Sequence, residues 1–441
     1  MTMKRLRKEL RSKWAFVLLA IAVLVHALMM GSLFWGYLDS LFDNSASLPQ
    51  GIDFFSVYEA GHSVLENRSV YHFDGADTSV TPHHNPFRYL PLVAYVVAVP
   101  FNALPAWEGY WTWVAINELL LVLNAYLTWR VAGRSDWALV AASMWFVFTP
   151  FYVELYVGQF SFLMATLLLL TGLGLVRGRE LRGGLPWAVS IVTKSNSALL
   201  LPLLIRVGWW RAIAGGAVLV ALNAAYFAGR LRDLQYFLWI NLSQVLNGGY
   251  GLLDYQLRPG EMRFFEDPDQ RLFQFSSGEH GLLALVRNSY LAFDSTATNL
   301  PGPFSLVLVA AVVGVGLGVT FFSRRLDVLA LFGVWICTFF LVYTAWEHHY
   351  VMLLPALVLL VAFRPASRWI ALVTFAFVAM PSPYWLVNAV SGASLPPAGS
   401  LVSIQESWPA WGVVLHHAAK PLPVLALWAH LVYAQVRNNA T

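Results

Sequence analysis

The sequence is short of charge and nearly without cysteine. Asp, Glu, Lys and Arg make up 12% of its 441 residues, against about 25% in soluble globular chains. So few charges cannot cover a water-facing surface. The one cysteine, Cys337, excludes an intramolecular disulfide and a thiolate metal cluster. There is no glycine-rich phosphate loop opening a helix from a strand, no visible internal repeat and no low-complexity tract. These absences exclude a soluble multidomain enzyme, a disordered chain, a DNA-binding protein and a secreted disulfide scaffold. What the chain has in abundance is apolar. Hydrophobic residues reach 58%, with 19 Trp, 18 Tyr and 29 Phe, the aromatics suiting interface belts and apolar cavities. The expected fold is an all-α polytopic membrane protein, one integral membrane domain over residues 1–441, with membrane lipids as its solvent and no nucleic-acid partner.

Six cations, Lys4, Arg5, Arg7, Lys8, Arg11 and Lys13, precede an apolar run from Trp14 to Leu38. That run exceeds the core of a signal peptide. It reads as a retained first helix with its basic flank in the cytoplasm. Further runs lie near 88–105, 107–130, 136–157, 160–176, 184–206, 209–229, 303–322, 326–345, 350–363, 368–387 and 411–435, giving about 12 transmembrane helices. Two runs are irregular. Pro91, Pro100 and Pro105 punctuate the first, and Lys194-Ser195-Asn196-Ser197 interrupts 184–206. A first run that dips and returns, with a second made of two short helices, puts Arg130, Arg134, Arg177, Arg179, Arg182, Arg206 and Arg211 on the cytoplasmic side. The positive-inside rule favours that arrangement. Both termini are then cytoplasmic in a multi-pass protein of the plasma (inner) membrane. Segments 39–87 and 230–302 read as aqueous extracytoplasmic loops carrying interfacial helices. They hold most of the 24 carboxylates, and the chemistry is expected on their side.

The first loop contains Gly51-Ile52-Asp53-Phe54-Phe55-Ser56-Val57-Tyr58-Glu59. Apolar residues at 54, 57, 58, 61, 64 and 65 predict an amphipathic helix lying on the membrane, with Asp53 at its N-cap. Asp53 either caps that helix alone or also accepts a proton from an acceptor hydroxyl. Lys194 is the only lysine between Lys13 and Lys420. It sits in an apolar stretch, where a charge snorkels to the interface or serves a cavity. Beside a helix break it is a candidate phosphate ligand. Trp346-Glu347-His348-His349-Tyr350 opens a later helix. Adjacent histidines point about 100° apart on a helix and rarely chelate one ion together, so one imidazole contacting a phosphate or sugar is the functional alternative to a belt cluster. Glu154, one turn from Gly158-Gln159, is expected to face the same cavity, whereas Glu118 suits a structural pair. His83-His84 and His416-His417 read as loop or interface residues, and Asp267-Pro268-Asp269 lacks the α/β context of a metal–nucleotide site.

These motifs follow a recognisable order. The Asp53 helix precedes N-R-S-V-Y at 67–71 and F-R-Y-L-P-L at 87–92. Then come G-Q-F-S-F-L-M-A from Gly158, T-K-S-N-S-A-L-L-L-P from Thr193, N-L-S-Q-V-L-N-G-G from Asn241 and W-E-H-H-Y-V-M-L-L-P from Trp346. The set resembles the polyprenol-phosphate-mannose-dependent α-mannosyltransferase family, within the GT-C superfamily, over roughly residues 14–363. N-R-S-V-Y departs from the family's small-Gly–Pro-Tyr turn, and 250–300 is divergent, which leaves the acceptor open. The resemblance implies that Asp53 is the catalytic aspartate, that Lys194 is the lysine of a short broken helix and that His348 or His349 is the histidine before the later helix. It implies a polyprenyl-phosphate sugar donor and a lipid or glycan acceptor. Lys194, Arg88 and a histidine would bind the donor phosphate, with Tyr58, Glu154, Gln159 and Glu347 lining the substrate cavity. No cofactor or divalent metal is expected, because a sugar phosphate already leaves well and one base suffices. The rival readings are a 12-helix secondary transporter, whose paired halves are not evident here, and a non-catalytic lipid-binding protein.

Overall fold

The computed structural model describes residues 3–42, 49–71, 80–83, 87–246, 279–294, 303–343, 345–392 and 408–437, without the side chains of 3–12, 239–240 and 242–246. Asp43, Asp74, Asp77, Asp254, Glu261, Glu266, Asp267 and Asp269 fall outside these residues, as does most of the second loop. Among the described residues there is no β-strand; the one bridge joins Glu279 to Trp346. The helices are α1 Met3–Trp35, α2 Ile52–Leu65, α3 Pro91–Phe101, α4 Ala106–Val131, α5 Asp136–Met144, α6 Thr149–Val157, α7 Ser161–Val176, α8 Glu180–Thr193, α9 Leu201–Arg206, α10 Trp210–Tyr226 and α11 Leu231–Leu246. There follow α12 Leu282–Phe293, α13 Phe304–Phe322, α14 Val328–Val342, α15 Leu354–Phe363, α16 Arg368–Ala379, α17 Tyr384–Ser391, α18 Ala410–Ala418 and α19 Pro421–Arg437.

Proline explains why apolar runs become short helices. It lacks an N–H and suits a first turn. Pro150, Pro202 and Pro355 each open a new helix after a break. Among the described residues, four helical stretches are long and apolar enough to cross a membrane: Lys13–Trp35, Ala106–Val131, Asp136–Val157 and Phe304–Phe322. A fifth arises if Pro365–Ala379 and Tyr384–Ser391, bent by 54°, form one span. The other runs are shorter or broken, and not only the two, 88–105 and 184–206, expected to be irregular.

At the centre, α15 is apolar and buried from Leu354 to Val361, packed by α5, α7, α14 and α16. A helix that is apolar all round needs such a place. The outer helices do the reverse. Phe34, Trp35, Leu119, Leu306 and Phe322 stand exposed, a pattern suited to lipid and unsuited to water.

The bundle has two poles. At one, Glu180 Oε1 accepts the backbone N–H of Arg211 (2.6 Å), and Arg206 donates to Thr320 O and Ser323 O. Arg364 pairs with Asp327 (2.9 Å), Gln435 donates to Arg325 O, and Arg368 stacks on Trp137. The cations thus gather where α5, α8, α10, α14 and α16 begin and α7, α9, α13, α15 and α19 end. Residues 180–211 leave this pole and return to it, so the interrupted run is two short helices. The opposite pole holds the ends of α1 and α6, the start of α7, Lys194 and the Glu347–Met352 turn. Both ends of 88–105 lie there: Tyr89 bonds Gln159, and Tyr58 donates to Leu104 O.

Two expectations fail in the loops. The Asp53 helix does not lie on a surface. Phe54 to Gly61 are all buried, Ser56 and Glu59 of the polar face included, and α3 packs on the face that carries Phe54, Tyr58 and Gly61. There Gly61 admits α3 so closely that a Cβ would stand 2.7 Å from Ala98 C. Residues 279–285 of the 230–302 segment are not aqueous either, with Glu279 and His280 1% and 0% exposed.

Candidate active site

The site grows from the junction of α2 with the α6–α7 turn. Gly158 ends α6 in the left-handed region (φ 72°), with Gln159 N donating to Glu154 O (3.0 Å) in a Schellman closure. Gly51, also left-handed (φ 78°), caps α2, and its N–H donates to Tyr156 O (2.8 Å). Asp53 is therefore the second residue of α2 and not its N-cap, a correction to the sequence reading. The glycine supplies the turn, which frees the carboxylate for another partner. That partner is Gln159, whose Nε2 donates to Asp53 Oδ2 at 3.1 Å. Gln159 Oε1 accepts from Phe160 N (2.9 Å) and from the Tyr89 hydroxyl, which fixes the amide's orientation. Asp53 also lies in the first turn of α2, where the helix dipole favours a carboxylate.

Below Asp53 lies a buried ionic layer. Glu154 is fully buried, and its Oε1 accepts from Phe162 N (2.7 Å) at the start of α7. Its Oε2 has no hydrogen bond among the described residues. Lys194 stands extended between α8 and the 3-10 turn Ser195–Leu200. Its Nζ donates to Ser161 Oγ (2.5 Å), and it interacts electrostatically with Glu154 and Asp53. Ser190 Oγ to Ser197 Oγ (2.8 Å) and Trp187 Nε1 to Ser197 O (3.0 Å) brace the break. The next 3-10 turn, Glu347–Met352, packs on α6 and α7. It brings buried His348 and His349 within electrostatic reach of Lys194, their rings 4.3 Å apart. His349 Nδ1 accepts from Trp346 N (3.0 Å). Beside the layer a small apolar recess is lined by Met164, Leu168, Leu199, Trp335 and Phe339, with Asn196 at its polar edge. On the rim, burial lifts the Asp39 carboxyl above its usual range, and a 2.6 Å hydrogen bond from Tyr152 opposes that shift.

The structure thus brings Asp53, Gln159, Glu154, Lys194, His348 and His349 together. Two other candidates turn to partners outside that layer. The Tyr58 hydroxyl is committed to Leu104 O (2.8 Å) as a strut between α2 and the segment after α3. Glu347 turns away to Lys420 (3.0 Å) and to the N–H and hydroxyl of Ser382. Arg88 is half-buried; its carbonyl accepts from Asn241, and the next residue, Tyr89, bonds Gln159. Sequence reasoning missed Tyr89 and Ser161, although both sit inside quoted motifs beside chosen residues. Glu118 meets His26 at 2.8 Å, the structural pair expected of it. His416 and His417 are not loop residues. They close α18 with no exposure, because residues 279–293 cover them.

A carboxylate and a cation at one pole of an all-helical, lipid-suited bundle mark a membrane protein with a buried polar site. Residues 87–252 match the model of glycosyltransferase family 87. The match takes in Glu154, Gln159, Ser161 and Lys194; Asp53 lies before it and His348 after it. It supports a membrane glycosyltransferase, which works with a donor and an acceptor. No curated protein matches the chain.

Proposed function

We propose that the protein moves a hexose, mannose by its resemblance, from a polyprenyl-phosphate sugar to a hydroxyl of a lipid or glycan acceptor, inverting the anomeric carbon. The observation that carries this reading is the Asp53–Gln159 pair set within electrostatic reach of Lys194. Asp53 takes the proton from the acceptor hydroxyl. The hydroxyl oxygen forms its bond to the anomeric carbon as the bond from that carbon to the phosphate oxygen breaks. The electron pair leaves on the phosphate, whose charge Lys194, with His348 or His349, stabilises in a water-poor layer. Glu154 offsets the cost of holding Lys194 there before the donor arrives. No divalent ion is required at the reacting atoms. With the cationic pole in the cytoplasm, the site faces the extracytoplasmic side, where nucleotide sugars are generally absent.

The test offers the reconstituted chain radiolabelled polyprenyl-phosphate mannose and, separately, GDP-mannose, with its host's lipid extract as acceptor. Label transfer from the lipid donor, absent in Asp53→Asn, is the expected result. Transfer from GDP-mannose alone, with no lipid intermediate formed, overturns the choice of donor.

A further inference from the structure

A second polar cluster lies outside this site. His280, His416 and His417 are buried, and their candidate ligand atoms all lie within 4.8 Å of one another. Ring centroids are 4.8 Å apart for His280–His416, 5.1 Å for His416–His417 and 6.0 Å for His280–His417. Neither nitrogen of His280 has a hydrogen bond among the described residues, and the residue is 0% exposed. A buried polar atom without a partner is costly, and native proteins normally fill the place with a partner, a water or an ion. His417 Nδ1 meets Glu279 O at 2.7 Å, which makes Nδ1 the donor and leaves the lone pair on Nε2. That is the support a metal-bound histidine has.

We propose that His280, His416 and His417 bind a divalent transition metal of the zinc class. Nitrogens sit about 2.0–2.1 Å from zinc, so ligands of a tetrahedral ion are roughly 3.4 Å apart. Small ring rotations close the distance from 4.8 Å. His416 and His417 are neighbours on α18, yet their rings, 86° apart, both stay within reach of His280. The ion would replace the Asn288 amide now 2.9 Å from His417 Nε2; Asn288 would keep its 3.1 Å bond from Arg287. Three imidazoles without a carboxylate select zinc, cobalt, nickel or copper over magnesium and calcium. The nearby carboxylates are committed, Glu279 to Arg287 (2.6 Å) and Glu347 to Lys420 (3.0 Å).

The site is a brace. His280 N donates to Ala345 O (2.6 Å), and the Tyr350 hydroxyl donates to His280 O (2.5 Å). A bound ion would therefore tie α18 to the turn that carries His348 and His349. It takes no part at Asp53 or Lys194, and the proposal does not rest on the glycosyl-transfer reading.

The test uses full-length protein purified without a polyhistidine tag, stripped by chelator, then dialysed against Zn²⁺ or Co²⁺. Wild type and His62→Ala should retain stoichiometric metal, show histidine-ligated cobalt bands and melt higher with metal than without. His280→Ala and His417→Gln should lose all three. A wild type that stays metal-free overturns the proposal, as does a His280→Ala protein that keeps its metal. Should His280→Ala fail to fold, the cobalt spectrum of the wild type decides alone.

Discussion

Gln159 holds Asp53. The amide Nε2 donates to the carboxylate at 3.1 Å, while its own oxygen is fixed by Phe160 N and Tyr89. An asparagine at 53 still offers Gln159 an acceptor, so Asp53→Asn should fold normally. It should lose transfer by about 10²–10⁴-fold, the range of a missing general base, with donor binding retained. Turnover within threefold of wild type would remove Asp53 from the chemistry. Gln159→Leu should lower kcat by roughly tenfold, the worth of one charge-assisted hydrogen bond, and should lower the melting temperature too, since Phe160 N and the Tyr89 hydroxyl lose their acceptor.

Lys194 should behave as a binding cation with a structural debt to Glu154. Lys194→Met should raise the donor KM and lower kcat, and should destabilise the fold by about 1–3 kcal/mol by leaving Glu154 uncompensated. Adding Glu154→Gln should recover stability without recovering activity. Lys194→Arg should restore only part of the rate, since a planar fork replaces a point charge. Thermal unfolding and initial-rate kinetics on the four proteins separate the two roles. Recovery of activity in the double variant would assign Lys194 to structure alone.

The sequence showed most plainly what was anomalous for its surroundings. Lys194 stood out because a lone lysine in an apolar stretch is costly, and the break beside it is where the chain interrupts its helix. Asp53 was found for the right residue type but in the wrong position. A glycine in the left-handed region can take the cap, and no local pattern announces that Gly51 does. The α2 helix looked amphipathic because a period shows which face is more apolar, not whether a second segment covers the other face. His416-His417 and Glu347–Lys420 stayed hidden for a related reason. Their partners, His280 and one another, lie far away in sequence, and only packing brings them into one layer.

Lys420 shows what that packing is worth. It is 0% exposed, pairs with Glu347 at 3.0 Å and donates to Val378 O and Met380 O. Lys420→Met strands Glu347, itself 1% exposed, and should cost about 3–5 kcal/mol. Glu347→Gln with Lys420→Met should cost clearly less than the two single losses added. Unfolding measured across the full double-mutant cycle gives the coupling directly. Additive losses would show that the two charges do not act as a pair.

The seating of α2 depends on Gly158. A Cβ there would stand 2.6 Å from Phe54 Cβ, and φ is 72°. Gly158→Ala should cost at least about 1–2 kcal/mol in left-handed strain alone. It should also push α2 away from the α6–α7 turn. Because Asp53 rides on α2 and Lys194 does not, kcat should fall more than donor affinity. Equal loss of both, or of neither, would separate the seat of α2 from the position of the base.

The two poles predict sidedness. Glu66, just past the end of α2, and Arg325, between α13 and α14, are both exposed, and they belong to opposite ends of the bundle. With buried Cys337 replaced by Ala, Glu66→Cys should react with a membrane-impermeant thiol reagent added outside intact cells. Arg325→Cys should react only after permeabilisation. The expected direction follows from the cationic pole, where Arg206, Arg325 and Arg364 converge, since basic flanks stay cytoplasmic as a rule. The outcome bears on the chemistry as well as the topology, because a base on the outer side must draw on a lipid-linked sugar. If Glu66→Cys is labelled only from the cytoplasm, nucleotide sugars become available to Asp53, and the polyprenyl-phosphate donor loses its main physical argument.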